Sequence, residues 1–169
     1  TGDNTENVVI INKSGSLTIR MQLVKKLKGQ NTVVKLTHKS RIFLIEAKEG
    51  ATVISKDKTD QSTIYLKTAS GGQIDLDIQT EKATATANSG GVINLKGTTF
   101  SFDAIVKSGS IVKAFELNSS QTKVKASSGG SCKAYARDIF EANASLGGSI
   151  EVYGDCLLYT SPSPRDCRL

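Results

Sequence analysis

Asp75, Asp77 and Asn94 are the residues whose types and spacing come nearest to catalytic chemistry. Two carboxylates and an amide oxygen can hold Ca²⁺ through oxygen ligands. Polysaccharide cleavage needs either a carboxylate pair or a calcium-acidified proton with a Lys or Arg base. Solvated surface charge explains the three more simply, so no catalytic, metal or cofactor residue is assigned. Histidine occurs once, as His38 beside Lys35 and Lys39, and reads as plain surface, so no Ser/His/Asp set is assigned. No phosphate-cradling glycine loop precedes a helix. Clustered lysines at 25, 26 and 28 invite a nucleic-acid reading. Lys113, Lys123, Lys125 and Lys133, however, alternate with carboxylates and carry little aromatic interleaving, so no nucleic-acid partner is expected.

Three aromatics offer a different chemistry. Phe115, Tyr135 and Tyr153 follow one another at 20 and 18 residues, in an outward column that begins Asp77, Lys96. Exposed rings pack against the apolar C–H faces of sugars, with Lys113, Lys133, Glu116 and Glu151 near enough to bond the polar rims. Cross-strand stabilisation of neighbouring strands is the plainer alternative.

What positions these residues is a repeat. Ser-Gly-Gly-like punctuation recurs at Ser70-Gly71-Gly72, Ser89-Gly90-Gly91, Ser108-Gly109-Ser110, Ser128-Gly129-Gly130 and Leu146-Gly147-Gly148, at intervals of 19, 19, 20 and 18. Two residues after each stand Ile74, Ile93, Val112, Cys132 and Ile150, and two further on Leu76, Leu95, Ala114, Ala134 and Val152. Ahead of each, inward columns hold Thr68, Ala87, Val106, Ala126 and Ala144, then Leu66, Ala85, Ala104, Val124 and Ala142, then Ile64, Ala83, Phe102, Thr122 and Phe140. Polar residues alternate with them, the signature of half-buried strands. Two short strands per coil, joined by a glycine turn, predict an all-β parallel β-helix of about 19 residues per coil, a right-handed solenoid whose coils bury their columns only against neighbours. Six coils would stand about 25 Å tall at the usual strand spacing. A weaker first coil fits with Phe43, Ile45, Ala47 and Val53 inward. Cys132 then lies in the core as a small hydrophobe.

Residues 1–41 do not follow the period. Val8–Ile11, Leu17–Met21 and Thr32–Leu36 read as strands, with a turn at Lys13–Ser16 and a basic loop at Lys25–Gly29. They form an N-terminal antiparallel cap of the same domain, with the solenoid over residues 42–155. Cys156–Asp166 breaks with the repeat, holding both prolines and one of the three cysteines. It resembles the translation of a sequencing-library adapter, so residues 156–169 are expected to lie outside the native fold.

Size and charge agree with one domain. The 169 residues carry 38% apolar residues, no Trp and a net charge of +6, so the core must be built from small aliphatics. Apolar runs such as Val8–Ile11 and Ile42–Ile45 are far shorter than the roughly 20 residues of a membrane span, and no transmembrane segment is expected.

The punctuation followed by an Ile-Asn-like pair, seen as Gly91-Val92-Ile93-Asn94 and echoed in Gly72-Gln73-Ile74-Asp75 and Gly148-Ser149-Ile150-Glu151, resembles the auto-transporter adhesin head GIN domain family of Bacteroidetes. So does the order of parts, a Gly-Ser-Leu-Thr-Ile strand (Gly15–Ile19), a Val-Val-Lys-Leu-Thr strand (Val33–Thr37), then glycine-punctuated coils. Ser110 and Leu146 depart from the pattern. The resemblance covers about residues 1–155 and implies a β-helix exported to the periplasm, outer membrane or cell surface. It brings no functional residue with it. The reading is a non-enzymatic surface adhesin or scaffold, with envelope or host glycans or other surface proteins as partners and Phe115, Tyr135 and Tyr153 as the ligand-contact ladder. A polysaccharide lyase or hydrolase is the alternative.

Overall fold

The computed structural model describes residues 8–21, 32–154 and 157–160, with strands and turns and no helix among them. The chain divides into two compact units, Thr1–Ser40 and Arg41–Leu169.

In the first unit, β1 (Val8–Lys13) and β2 (Ser16–Met21) form an antiparallel hairpin in which Lys13 pairs with Ser16 and Val8 with Met21. Ser14 and Gly15 both have positive φ, 48° and 79°. That is the pattern of a two-residue type I′ turn, whose twist matches the strands it joins. The expected third strand is absent: residues 32–38 have no regular structure. Val33, Val34 and Leu36 are exposed there, whereas β propensity expresses fit to a half-buried pleated surface. Lys25–Gly29 lies outside the described residues.

The second unit is the solenoid. It runs β3 (Leu44–Lys48), β4 (Thr52–Ile54), β5 (Thr59–Ala69), β6 (Gln73–Ala87), β7 (Val92–Lys107), β8 (Ile111–Ser127), β9 (Ser131–Tyr135), β10 (Ile139–Ser145), β11 (Ser149–Tyr153) and β12 (Leu157–Thr160), all in one parallel sheet. Ile74, Ile93, Val112, Cys132 and Ile150 pair strand to strand in that order, and the first four are at most 1% exposed. The column of Ile64, Ala83, Phe102, Thr122 and Phe140 is likewise in register and buried. Each fully buried Ile or Phe contributes about 1.5–3 kcal/mol relative to its exposed state. Phe43, expected inward, precedes Ile64 in its column but is 61% exposed, because the column begins there.

Two short strands per coil hold only for the outer coils. In β6, β7 and β8, of 15, 16 and 17 residues, the ladder continues through the corner, Ile78 pairing with Gly97 and Gly97 with Leu117. A strand whose hydrogen bonds continue bends instead of breaking. Leu157–Thr160, in the stretch expected to lie outside the fold, forms β12 against β10. An open sheet edge offers its backbone groups to any extended segment.

The punctuation is turn chemistry. Ser70-Gly71, Ser89-Gly90, Ser108-Gly109, Ser128-Gly129 and Leu146-Gly147 all have positive φ at both residues. Each closes on a backbone bond such as Gly72 N–H to the Ala69 carbonyl at 3.0 Å. The third position sits on the coil before it, where a methyl at Gly148 would lie 2.4 Å from the Ala126 carbonyl oxygen. Ser110 occupies the same position fully buried, its hydroxyl 2.8 Å from the corresponding Ala87 carbonyl, so the intruding atom becomes a donor.

Both departures from 19 fall at the corner opposite these turns. The 20-residue coil holds its extra residue as a β-bulge: Asn94 pairs with Lys113, but Lys96 pairs with Glu116. The 18-residue coil cuts the corner at Ala136–Asp138, where the Arg137 and Asp138 N–H groups bond the Ser119 and Ser120 carbonyls at 2.8 and 3.0 Å.

Candidate functional site

The bulge decides where the aromatics go. Strict alternation would leave every second residue of β8 outside, yet Phe115 and Glu116 are both exposed, with Ala114 and Leu117 buried on either side. A bulge re-aims a side chain in this way. Phe115 meets Tyr153, two coils on, at a ring-centroid distance of 5.8 Å and an interplanar angle of 42°, a tilted arrangement within the preferred range for aromatic pairs. Their exposures are 41% and 36%. Tyr135 pairs in register with Tyr153, but its ring lies over Gly154, where a Cβ would come within 3.0 Å of it. The expected outward column is therefore corrected in two respects. Lys96 stands opposite Glu116 instead of Phe115, and the three rings do not stack one upon the next.

Charge surrounds the pair. Lys133 and Glu151, in register on β9 and β11, form an ion pair at 2.7 Å, and the Tyr153 hydroxyl donates to Glu151. The hydrogen bond from Lys133, with that from Tyr153, holds the Glu151 carboxyl below its ordinary range. The same bond to Glu151 raises the Tyr153 phenol. Lys113 stands in register with Lys133 and is exposed.

Asp75 and Asn94 pair in register on β6 and β7, the Asn94 amide 3.5 Å from an Asp75 oxygen. One oxygen each of Asp77 and Asn94 is shielded from solvent without a hydrogen-bond partner. Thus the three share one outward face, on coils ahead of the aromatic pair. No three His, Cys, Asp or Glu side chains converge to hold a metal among the described residues. His38 belongs to the first unit, exposed, with Nδ1–H donating to the Ser40 carbonyl at 2.8 Å.

Sequence reading missed a largely buried polar column at the bulged corner. Gln61, Thr80, Thr99 and Ser119 pair in register through β5, β6, β7 and β8. The Gln61 amide donates to the Ile42 and Thr63 carbonyls at 2.9 Å, and the Thr80 hydroxyl reaches that of Thr99 at 3.0 Å. Ser119 and Thr122, both within 2% of full burial, bond the Tyr135 carbonyl at 2.5 and 2.8 Å. Arg137 donates to Ser120 at 2.7 Å. These groups satisfy carbonyls that the corner turns inward, and they fix the backbone that carries Tyr135. Intervals of 19, 19 and 20 between the four residues were the available signal.

Among the described residues no helix is long and apolar enough to cross a membrane. No curated protein and no solved structure matches the chain. A family model described as "Putative auto-transporter adhesin, head GIN domain" matches residues 1–156. With nearly its whole length matched, and with the glycine-punctuated parallel solenoid on which the resemblance rested, the chain belongs to the auto-transporter adhesin head GIN domain family.

Proposed function

We propose that this chain is the head of an exported adhesin of the periplasm or cell surface that holds glycans by contact and does not turn them over. The half-exposed Phe115–Tyr153 pair carries this reading. It presents apolar ring surface on an outward sheet face, braced from behind by the Lys133–Glu151–Tyr153 network, and sugars stack on such surfaces. Tyr135, over Gly154, extends the surface at its edge. A polysaccharide-active enzyme is the second reading, favoured by the shielded, unpartnered oxygens of Asp77 and Asn94. Against it, the carboxylates lie on β6, two strands from the β8 that carries Phe115, on the order of 10 Å at ordinary strand spacing, a span that one sugar ring on the aromatic pair does not bridge.

A glycan array probed with the wild-type chain and with Phe115→Ala, Tyr135→Ala and Tyr153→Ala tests the proposal. Binding by wild type should be lost in the Phe115 and Tyr153 variants, with melting temperatures within a few degrees of wild type. An array on which wild type binds nothing would sink the glycan-contact reading. Consumption of a bound glycan would move the function to Asp75, Asp77 and Asn94.

A further inference from the structure

We infer that the aromatic face selects acidic sugars, pyranose rings bearing a carboxylate, through Lys113. The inference rests on the glycan-contact reading and specifies its ligand class. Lys113 and Lys133 face each other in register on β8 and β9, and like charges directly opposite on neighbouring strands repel. Glu151 neutralises Lys133 at 2.7 Å. No ion pair within 4 Å reaches Lys113 among the described residues. The nearest outward carboxylate on its own strand, Glu116, stands opposite Lys96 across the bulge.

Residue types along the strand give the complementarity. Lys113 and Phe115 are both exposed and separated only by the buried Ala114, so the lysine and the ring stand beside each other on the outward face of β8, within reach of one pyranose. A pyranose seated on the Phe115–Tyr153 pair holds its ring substituents in the plane of the stack, at the rim. A carboxylate there accepts a charge-assisted hydrogen bond from Lys113, the lysine that Glu151 leaves without a carboxylate partner. A neutral sugar gains the stacking alone.

The test compares oligogalacturonate with its fully methyl-esterified form, which keeps every ring and removes the charge. Binding of both to the full chain is measured at low and high salt, for wild type, Lys113→Gln, Lys113→Arg and Tyr153→Ala. Wild type should prefer the free acid by about tenfold, the worth of one charge-assisted contact, with the preference shrinking as salt rises. Lys113→Gln should abolish the preference and Lys113→Arg restore it. Tyr153→Ala should weaken both ligands. Equal affinity for the two forms, unmoved by Lys113→Gln, would overturn the inference while leaving the glycan-contact reading intact. Binding of neither form by a wild-type chain that binds other glycans on the array would also overturn it. Stronger binding of oligothymidylate than of oligogalacturonate, lost in Lys113→Gln, would assign the lysines to nucleic acid and defeat the inference.

Discussion

Cys132 sits between Val112 and Ile150 in a column of aliphatic residues, 1% exposed. Burial pushes its thiol from the ordinary 9.0 up to about 12, so it is a neutral, unreactive group at physiological pH. Labelling by a thiol reagent, read on the Cys132 peptide by mass spectrometry, should proceed only through unfolding. The raised pKa also has a thermodynamic consequence. Below pH 9 both folded and unfolded chains keep the proton; between about 9 and 12 the unfolded chain releases it and the folded chain does not, so stability falls as pH rises. Cys132→Val, close in shape to its neighbour Val112, should retain stability at pH 7 and flatten that alkaline fall, which approaches roughly 4 kcal/mol over three pKa units. Denaturant titrations of both proteins from pH 8 to 11 check this, and an identical slope in the variant would place Cys132 outside the core. At Tyr153 the direction reverses. Glu151 pairs with Lys133 and accepts its strong charge-assisted bond from Tyr153 while ionised, and its carboxyl lies below the ordinary range. The Phe115–Tyr153 contact should therefore persist at neutral pH and loosen as pH falls through that lowered value, visible in the Tyr153 ring resonances.

Turns and corners carry different kinds of information. Each coil turns through two consecutive positive φ values, the second at a Gly, and Leu146 puts a large apolar side chain at the first, at φ 49° and 79% exposed. An L-residue there costs roughly 1–2 kcal/mol, which Asn largely escapes. Leu146→Asn should raise the melting temperature by about 2–4 °C for each kcal/mol recovered. Gly148→Ala should cost roughly 1–3 kcal/mol, because its methyl meets the Ala126 carbonyl at 2.4 Å. Both changes are read in thermal melts. The columns of Ile74 and Ile64 were legible in the sequence because inward and outward residues differ in polarity at a fixed period. The corner was not. Intervals of 20 and 18 show that one coil gains a residue and the next loses two, but not where. The backbone settles that through hydrogen bonds, placing the gain at Ala114–Phe115 and the loss at Ala136–Asp138. The polar column of Gln61, Thr80, Thr99 and Ser119 was hidden for the same reason, since buried hydroxyls that satisfy inward carbonyls look like surface residues in a polarity pattern. Thr32–Leu36 fails in the opposite direction, its β-branched residues reading as a strand where no regular structure forms.

Across the second unit, a repeat that is uniform inside becomes specific outside only where its period slips. Core columns are interchangeable from coil to coil, each coil stabilised by its neighbours, and the outward face of β8, β9 and β11 gains its aromatic pair from one bulge and one shortened corner. The carboxylates Asp75 and Asp77 lie on β6, where the period is regular. The proposed contact face and the alternative carboxylates therefore lie on different strands, so a bound sugar can be assigned to one or the other. The most direct measurement is backbone and aromatic NMR of the isotopically labelled chain during titration with a bound oligosaccharide, oligogalacturonate first, followed for the integrity of the sugar. Shift changes confined to Lys113–Glu116, Lys133, Tyr135 and 151–154, with the oligosaccharide recovered unchanged, are the result expected. Changes centred on Asp75, Asp77 and Asn94, or shortening of the oligosaccharide in the tube, would contradict the adhesive face.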